Sequence, residues 1–360
     1  MGIVRLDRDE ARRIAVRAAG LDDEPPGELV ELAGALAGLR VELTTTVAPA
    51  ADHIAATRLG RDYRLGQADR ALAAGRLFER DWVLHPMSEL GLHLAGMSLD
   101  VEGGQAQRWV EANEPFRQGI LDRIADLGPL TSREIPDEAV VPWPSTGWTD
   151  DRNATQMLQL MHVQGDLAVV GRVGRLRVWD IAERVYPSDT VAVPLEEARR
   201  RRAERFLAAS GLLRDSTAAL HHTLRDAYPV GELAEIDGVP GRWRVDPAQL
   251  GRPFRRRRAA ILSPFDRLVV DRERLEPVFG YEYALEMYKP KAVRRWGGFA
   301  LPILLGDRLV GKLDARADRS AGVLRVAAVH EDTPLGASER EEVEGAIEEL
   351  AALQGLRVRR

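Results

Sequence analysis

The chain has no cysteine. That alone excludes disulfides, thiolate metal sites and thiol nucleophiles, and it fits a cytoplasmic protein. No apolar run approaches the roughly eighteen residues of a membrane-spanning helix. The opening MGIVRLDRDEARRIAVRAAG is charged and amphipathic, without the continuous apolar stretch of a signal peptide. There is no P-loop and no G-x-G-x-x-G; GRVGR (Gly171–Arg175) reads as a turn. None of the seven histidines forms a His-x-x-x-His pair beside a carboxylate, and the adjacent His221 and His222 point to different sides of a helix. Neither a metal nor an organic cofactor is expected. Positive charge is not in excess either. A net charge of −5 argues mildly against wholesale nucleic-acid binding, but the average conceals an arginine-dense stretch from Gly171 to Arg258 and an acid-rich end.

A chain of 360 residues has length for two to three compact modules. Leu6–Ala19 has helical periodicity, with Asp7 placed as N-cap, and Glu28–Leu39 reads as a second helix. A short extended piece, Arg40–Leu43, and a small-residue stretch come next, then helices around Gln67–Ala74 and Ser88–Leu94. Phe116–Leu127 is an amphipathic helix. Thr131 or Ser132 is positioned to cap a short helix after it. Asp150–Gln164 is a longer helix ending at Gly165. Leu167–Val170 and Leu176–Trp179 are strands joined by a turn rich in arginine. Helix, turn, helix, helix and hairpin is the order of a winged helix.

A further helix is expected at Thr217–Asp226, and a hairpin at Leu233–Ile236 and Arg242–Val245, an abbreviated version of the same plan. From Ala260 the pattern is strand-rich. Ile303–Leu305 and Leu309–Leu313 flank the turn pair Gly306-Asp307. Val323–Val329 is another strand and Ser338–Leu353 a closing amphipathic helix. The expected fold class is α+β: tandem winged-helix (helix-turn-helix) modules with a C-terminal β-rich, barrel-like domain. The module boundaries are 1–104, 105–190, 191–259 and 260–360.

Four segments are too particular to be generic: SPFD (Ser263–Asp266), DRERLEPVFGYEY (Asp271–Tyr283), YKPKAVRRWG (Tyr288–Gly297) and LPILLGDRLVGKLDARADR (Leu301–Arg319). Together they resemble the C-terminal region of the YcaQ/AlkZ family, winged-helix DNA glycosylases that act on alkylated bases and interstrand crosslinks. The resemblance spans nearly the whole chain and is strong again from Trp148 to Pro187. It implies double-stranded DNA, alkylated or not, as partner, hydrolysis without a cofactor, a monomer, no membrane, and a cytoplasmic or nucleoid-associated location.

It also directs attention to Leu39–Gly60, which closes on Thr57-Arg58-Leu59-Gly60. In the family this segment carries a Gln–apolar–Asp or Gln–apolar–Gln triplet that positions the water attacking C1′. Here the triplet is Arg40-Val41-Glu42. Glu42 keeps a carboxylate, which stabilises positive charge on the sugar and takes a proton from water. Arg40 is a departure, because arginine has no acceptor to offer a water. Read without the family, Arg40–Glu42 is a surface ion pair in a loop. DNA contacts are expected from Arg172, Arg175 and Arg177 at the hairpin tip, from Arg152, Asn153 and Gln156 on one helix, and from Arg294 and Arg295 beside Trp296. The bland alternatives are solvated charge for the arginines and a wet helix face for the rest. A non-catalytic DNA binder or regulator on the same scaffold is the other functional reading.

Overall fold

A computed structural model describes residues 2–22, 27–42, 44–97, 104–144, 152–215 and 230–360. The expected helix Thr217–Asp226 and the pair His221 and His222 lie outside them. The protein is a mixed α+β chain. It divides into two compact units: Met1–Gln67 with Arg202–Arg360, and Ala68–Arg201. These units are coarser than the four expected modules, and the first cut falls inside the expected N-terminal one.

The first unit is built on two sheets. The sheet order Val4–Leu6, Glu232–Ile236, Val239–Val245, Leu212–Arg214 makes one. Its edge strand runs parallel to its neighbour, with Val4 opposite Ala234 and Leu6 opposite Ile236. The second has the order Ala260–Ile261, Ala300–Leu305, Arg308–Asp318, Val323–Glu331, Arg357–Arg359. Alternation along Ala300–Leu305 sorts its side chains to two cores, as the period of two in a strand requires. Leu301, Ile303 and Leu305 pack with Val343, Ile347 and Leu350 of the closing helix Ala337–Ala352. Ala300 and Leu304 pack with Tyr281, Tyr283, Trp296 and the helix Arg8–Ala18. That first helix is capped as expected, Asp7 accepting from the Glu10 amide at 2.7 Å. Gly306-Asp307 forms the expected hairpin turn between Leu305 and Arg308.

The second unit holds the expected helix–hairpin order. The helix Asn153–Gln164 ends at Gly165, whose left-handed φ of 90° closes the helix where a side chain would be strained. The strands Leu167–Val173 and Leu176–Ile181 come next in register, with Arg172 opposite Arg177. The short helix expected after Thr131 is absent from the described residues. Leu130–Thr131 is instead a strand paired with Trp179 and Val178. Glu134 takes the local donors, accepting from both the Thr131 amide and hydroxyl at 2.8 Å. Pro136, Pro142 and Pro144 keep the segment beyond Glu134 extended. Asn113 and Trp109 pin that loop through the Val141 backbone.

Two buried histidines make stability depend on pH. His53, in the first unit, bonds the Ile261 carbonyl through Nε2 at 2.9 Å, and His162, in the second, bonds the Leu167 carbonyl through Nδ1 at 2.9 Å. Burial lowers each pKa to about 4. The unfolded chain binds these protons first, near pH 6.5, so stability falls as pH drops from about 6.5 toward 4 and the loss is complete below that. Between pH 7 and 5 the expected loss is roughly 2 kcal/mol per histidine. Urea unfolding at the two pH values should show it, and His53→Gln, which keeps a donor without the titration, should reduce the difference. An equal loss in the variant would exclude His53 as the cause.

Candidate active site

Leu39–Arg40 is a two-residue strand, and the triplet continues from it. Leu39 and Val41 are buried, whereas Arg40 is exposed and Glu42 half-buried. Alternation in an extended segment therefore carries Arg40 and Glu42 away from the face that packs. Glu42 Oε1 accepts from the Thr44 amide at 3.2 Å and the Thr44 hydroxyl at 3.3 Å. Among the described residues, both bonds fall on Oε1.

The loop after Glu42 is attached to the five-stranded sheet. Thr46 O accepts from the amide of Ala317 at 3.0 Å, and Val47 O accepts from Arg319 Nη2 at 2.7 Å. Val47 itself is fully buried among Leu301, Leu313 and Leu324. The loop thus sits beside the long strand Arg308–Asp318, beyond the point where Ala300 opposite Asp314 ends the pairing with the neighbouring strand.

Behind the loop, the helix Ala50–Leu59 is fastened to SPFD. Arg58 Nη1 donates to Asp266 Oδ2 at 2.5 Å and Nη2 to Oδ1 at 3.0 Å, both side chains 0% exposed. Arg58 Nε also donates to Ala19 O at 3.0 Å, and Asp266 Oδ1 accepts from the Leu268 amide at 3.0 Å. The bidentate fork and the extra bonds satisfy a pair that would be costly to bury otherwise. Sequence reasoning missed this junction. A signal exists, since Thr57-Arg58-Leu59-Gly60 and SPFD each stand out, but nothing local joins them.

The segment Tyr281–Gly297 is organised by buried polar groups. Glu286 accepts from Lys289 Nζ at 2.9 Å and from the Arg295 and Trp296 amides at 2.7 and 2.9 Å. Burial pushes the Glu286 carboxyl up, yet Lys289 and the two amides outweigh it and hold it below its usual range. Lys312 lies between the rings of Tyr281 and Trp296, 4.1 and 4.5 Å from their centroids, and donates to Asp332 at 2.5 Å. Arg294 turns inward, donating to the carbonyls of Lys289 and Met287. Arg295 pairs with Glu282 at 2.6 Å and covers Trp296. Tyr288, at the loop surface, is 81% exposed.

The hairpin arginines divide. Arg172 pairs with Glu79 and, at 2.8 Å, with Asp69; Arg177 pairs with the same Glu79 and lies 3.4 Å over Trp82. Glu79 is buried, so these two cations, expected as phosphate contacts, neutralise a carboxylate inside the unit. Arg175 alone of the three stands exposed at the tip. Asn153 is also engaged, donating to Asp137 at 2.9 Å and accepting from the Trp143 amide at 2.7 Å. Arg152 is exposed at the helix start and Gln156 is half-buried. Among the described residues no group of three or more histidines and carboxylates could hold a metal ion, and no helix is long and apolar enough to cross a membrane.

The fold and the site define a mixed α+β protein with a carboxylate loop bolted to a sheet and no metal-ligand cluster among the described residues. Comparison with protein-family models assigns residues 36–353 to the DNA glycosylase AlkZ-like family, so the chain belongs to that family. Among solved structures it is similar to the Streptomyces sahachiroi DNA glycosylase AlkZ. That match has a TM-score of 0.66 and 18% identity, and covers 99% of this chain and 100% of that one. At that identity the likeness shows the fold.

Proposed function

We propose that this protein is a monofunctional DNA glycosylase that hydrolyses the N-glycosidic bond of bulky or crosslinked N-alkyl purines, with Glu42 as the group that holds and deprotonates the water. The observation that carries it is the loop itself. Glu42 is half-buried on a segment locked to the sheet by Thr46 and Val47 and backed by the Arg58–Asp266 pair. A carboxylate so fixed is preorganised to face a sugar on which positive charge develops. Water oxygen bonds C1′ as the C1′–N9 bond breaks. The bond's electron pair moves into the alkylated ring and cancels its positive charge. Glu42 takes the water proton, leaving a free base and an abasic sugar.

Arg40, beside the acidic group, serves best on a phosphate flanking the lesion. Winged-helix modules together with a barrel-like sheet are the architecture this reading assigns to the two units, and Arg175 and Arg152 are its backbone contacts. Arg294 and Arg295 act by shaping the loop around Trp296. The test is release of base from duplex DNA carrying N7-alkylguanine, wild type beside Glu42→Gln. A wild type that leaves every alkylated duplex intact while binding one undamaged sequence tightly would favour a regulator instead.

Backbone binding also has a measurable signature. Duplex affinity should fall as salt rises, and Arg175→Ala should weaken binding to all sequences alike and reduce the log–log salt slope by about 1. Its melting temperature should not move. Arg172→Ala should do the reverse, destabilising the unit around Glu79 by leaving that buried carboxylate short of a partner. A salt-independent affinity would count against the DNA reading.

A further inference from the structure

We propose that Asp314 is the specificity residue of this site: its carboxylate accepts hydrogen bonds from the donor edge of the purine being excised and so selects guanine adducts over adenine adducts. The inference rests on the glycosylase reading above.

Its placement comes first. Asp314 lies on the strand that seats the Glu42 loop, three residues before Ala317, whose amide bonds Thr46 O. Three residues of strand span about 10 Å. Its cross-strand neighbours are Ala300 and Ala328, too small to cover it. Beneath it runs Gly297 at φ +93°, where a β-carbon would lie 2.2 Å from Asp314 Oδ2. The backbone there admits only glycine, and the carboxylate occupies the space a side chain would fill. Small residues therefore stand on three sides of the carboxylate.

That carboxylate is half-buried, and among the described residues no donor bonds it. Glu286 and Asp318, which are well supplied with donors, are held below the usual carboxyl range. Asp314 goes the other way, raised by burial, with His330 on the next strand and Arg294 on the loop opposing the shift. Lys312, on its own strand, is engaged by Asp332. A half-buried carboxylate with no protein donor keeps both oxygens for the donors of a ligand.

The ligand chemistry is set by the acceptor. An ionised carboxylate offers two oxygens and no donor. Guanine presents two adjacent donors, N1–H and the N2 amino group, once the base has left the stack. Adenine presents an acceptor, N1, beside its N6 amino group, and so meets a carboxylate with one repulsion. Asparagine has one acceptor and one donor, which matches adenine instead.

The experiment is single-turnover cleavage of duplexes carrying either one N7-methylguanine or one N3-methyladenine, by wild type, Asp314→Asn and Asp314→Ala. Thermal melting confirms that each variant folds. Wild type should favour the guanine adduct. Asp314→Asn should shift the guanine-to-adenine rate ratio toward adenine by between about tenfold and a hundredfold, the range of one good bidentate contact. Asp314→Ala should slow the guanine adduct and leave the adenine adduct nearly unchanged. Lowering the pH should move the wild-type ratio toward adenine, because burial raises the Asp314 carboxyl and a protonated carboxyl has one donor and one acceptor. The same shift should persist in His330→Gln and vanish in Asp314→Asn. A ratio equal in wild type and Asp314→Asn, with both adducts cleaved, would overturn this proposal alone. Wild type cleaving neither adduct would overturn the glycosylase reading and this proposal with it.

Discussion

Replacing Arg58 with methionine should lower the stability of the first unit by about 3–5 kcal/mol, because it strands the Asp266 carboxylate in a site that water does not reach. Both side chains of the pair are 0% exposed. For a unit of this size such a loss corresponds to a fall in melting temperature on the order of 10 °C. Arg58→Lys should recover little, since an ammonium cannot reproduce two parallel bonds to the carboxylate and a third to Ala19 O. The double variant Arg58→Met with Asp266→Leu should recover much of the loss, because no buried charge is left without its partner. Scanning calorimetry of the four proteins decides it. If Arg58→Met melts within a degree of wild type, the pair does not fasten the helix to SPFD. The same variants should also lose activity, through displacement of the helix Ala50–Leu59 that backs the Glu42 loop.

Glu42→Gln should slow base release by about 10²–10⁴-fold, the usual contribution of a positioned general base. The electrostatic share can be gauged separately. Unit charges 4 Å apart at an effective dielectric of about 20 interact by roughly 4 kcal/mol, or some three decades of rate. Glutamine keeps the shape and an acceptor but loses that charge. DNA affinity should stay within a few-fold, since a carboxylate near phosphates contributes no attraction to them. Arg40→Gln restores a side chain that can both accept from and donate to water, and should leave the rate equal or raise it. If the wild type is inert and Arg40→Gln gains activity, the natural protein is a binder with a disabled site. If Glu42→Gln cleaves as fast as wild type, the water is activated elsewhere.

Much of the local structure was legible in sequence because its causes are local. Asp7 as N-cap, Gly165 as C-cap and Gly306-Asp307 as a turn each depend on a few adjacent residues. The hairpin Leu77–Arg80 with Val83–Pro86 was not legible. Its turn places Asp81 and Trp82 at positive φ, where Asn-Gly or Asp-Gly is the usual signal. Trp82 is held there under the Arg177 guanidinium, a residue from a distant hairpin. The strand Val4–Leu6 was also missed. It is three residues long and pairs with Glu232–Ile236, so no local periodicity betrays it. The helix expected after Thr131 failed for the opposite reason, a capping signal whose donors Glu134 captured.

By itself the sequence determined the family, the alternation that sends Leu301 and Leu304 to different cores, and the triplet that puts a carboxylate at Glu42. Only the tertiary structure decided which charged residues are available for function. Arg172 and Arg175 look alike in GRVGR, yet one neutralises Glu79 and the other stands exposed. Arg58 and Asp266 are 208 positions apart and become a bidentate pair, while Asp314 has no hydrogen-bond donor among the described residues. The reason is physical. Capping and strand alternation act over a few bonds of chain, whereas the state of a charge depends on what folding brings within about 4 Å of it.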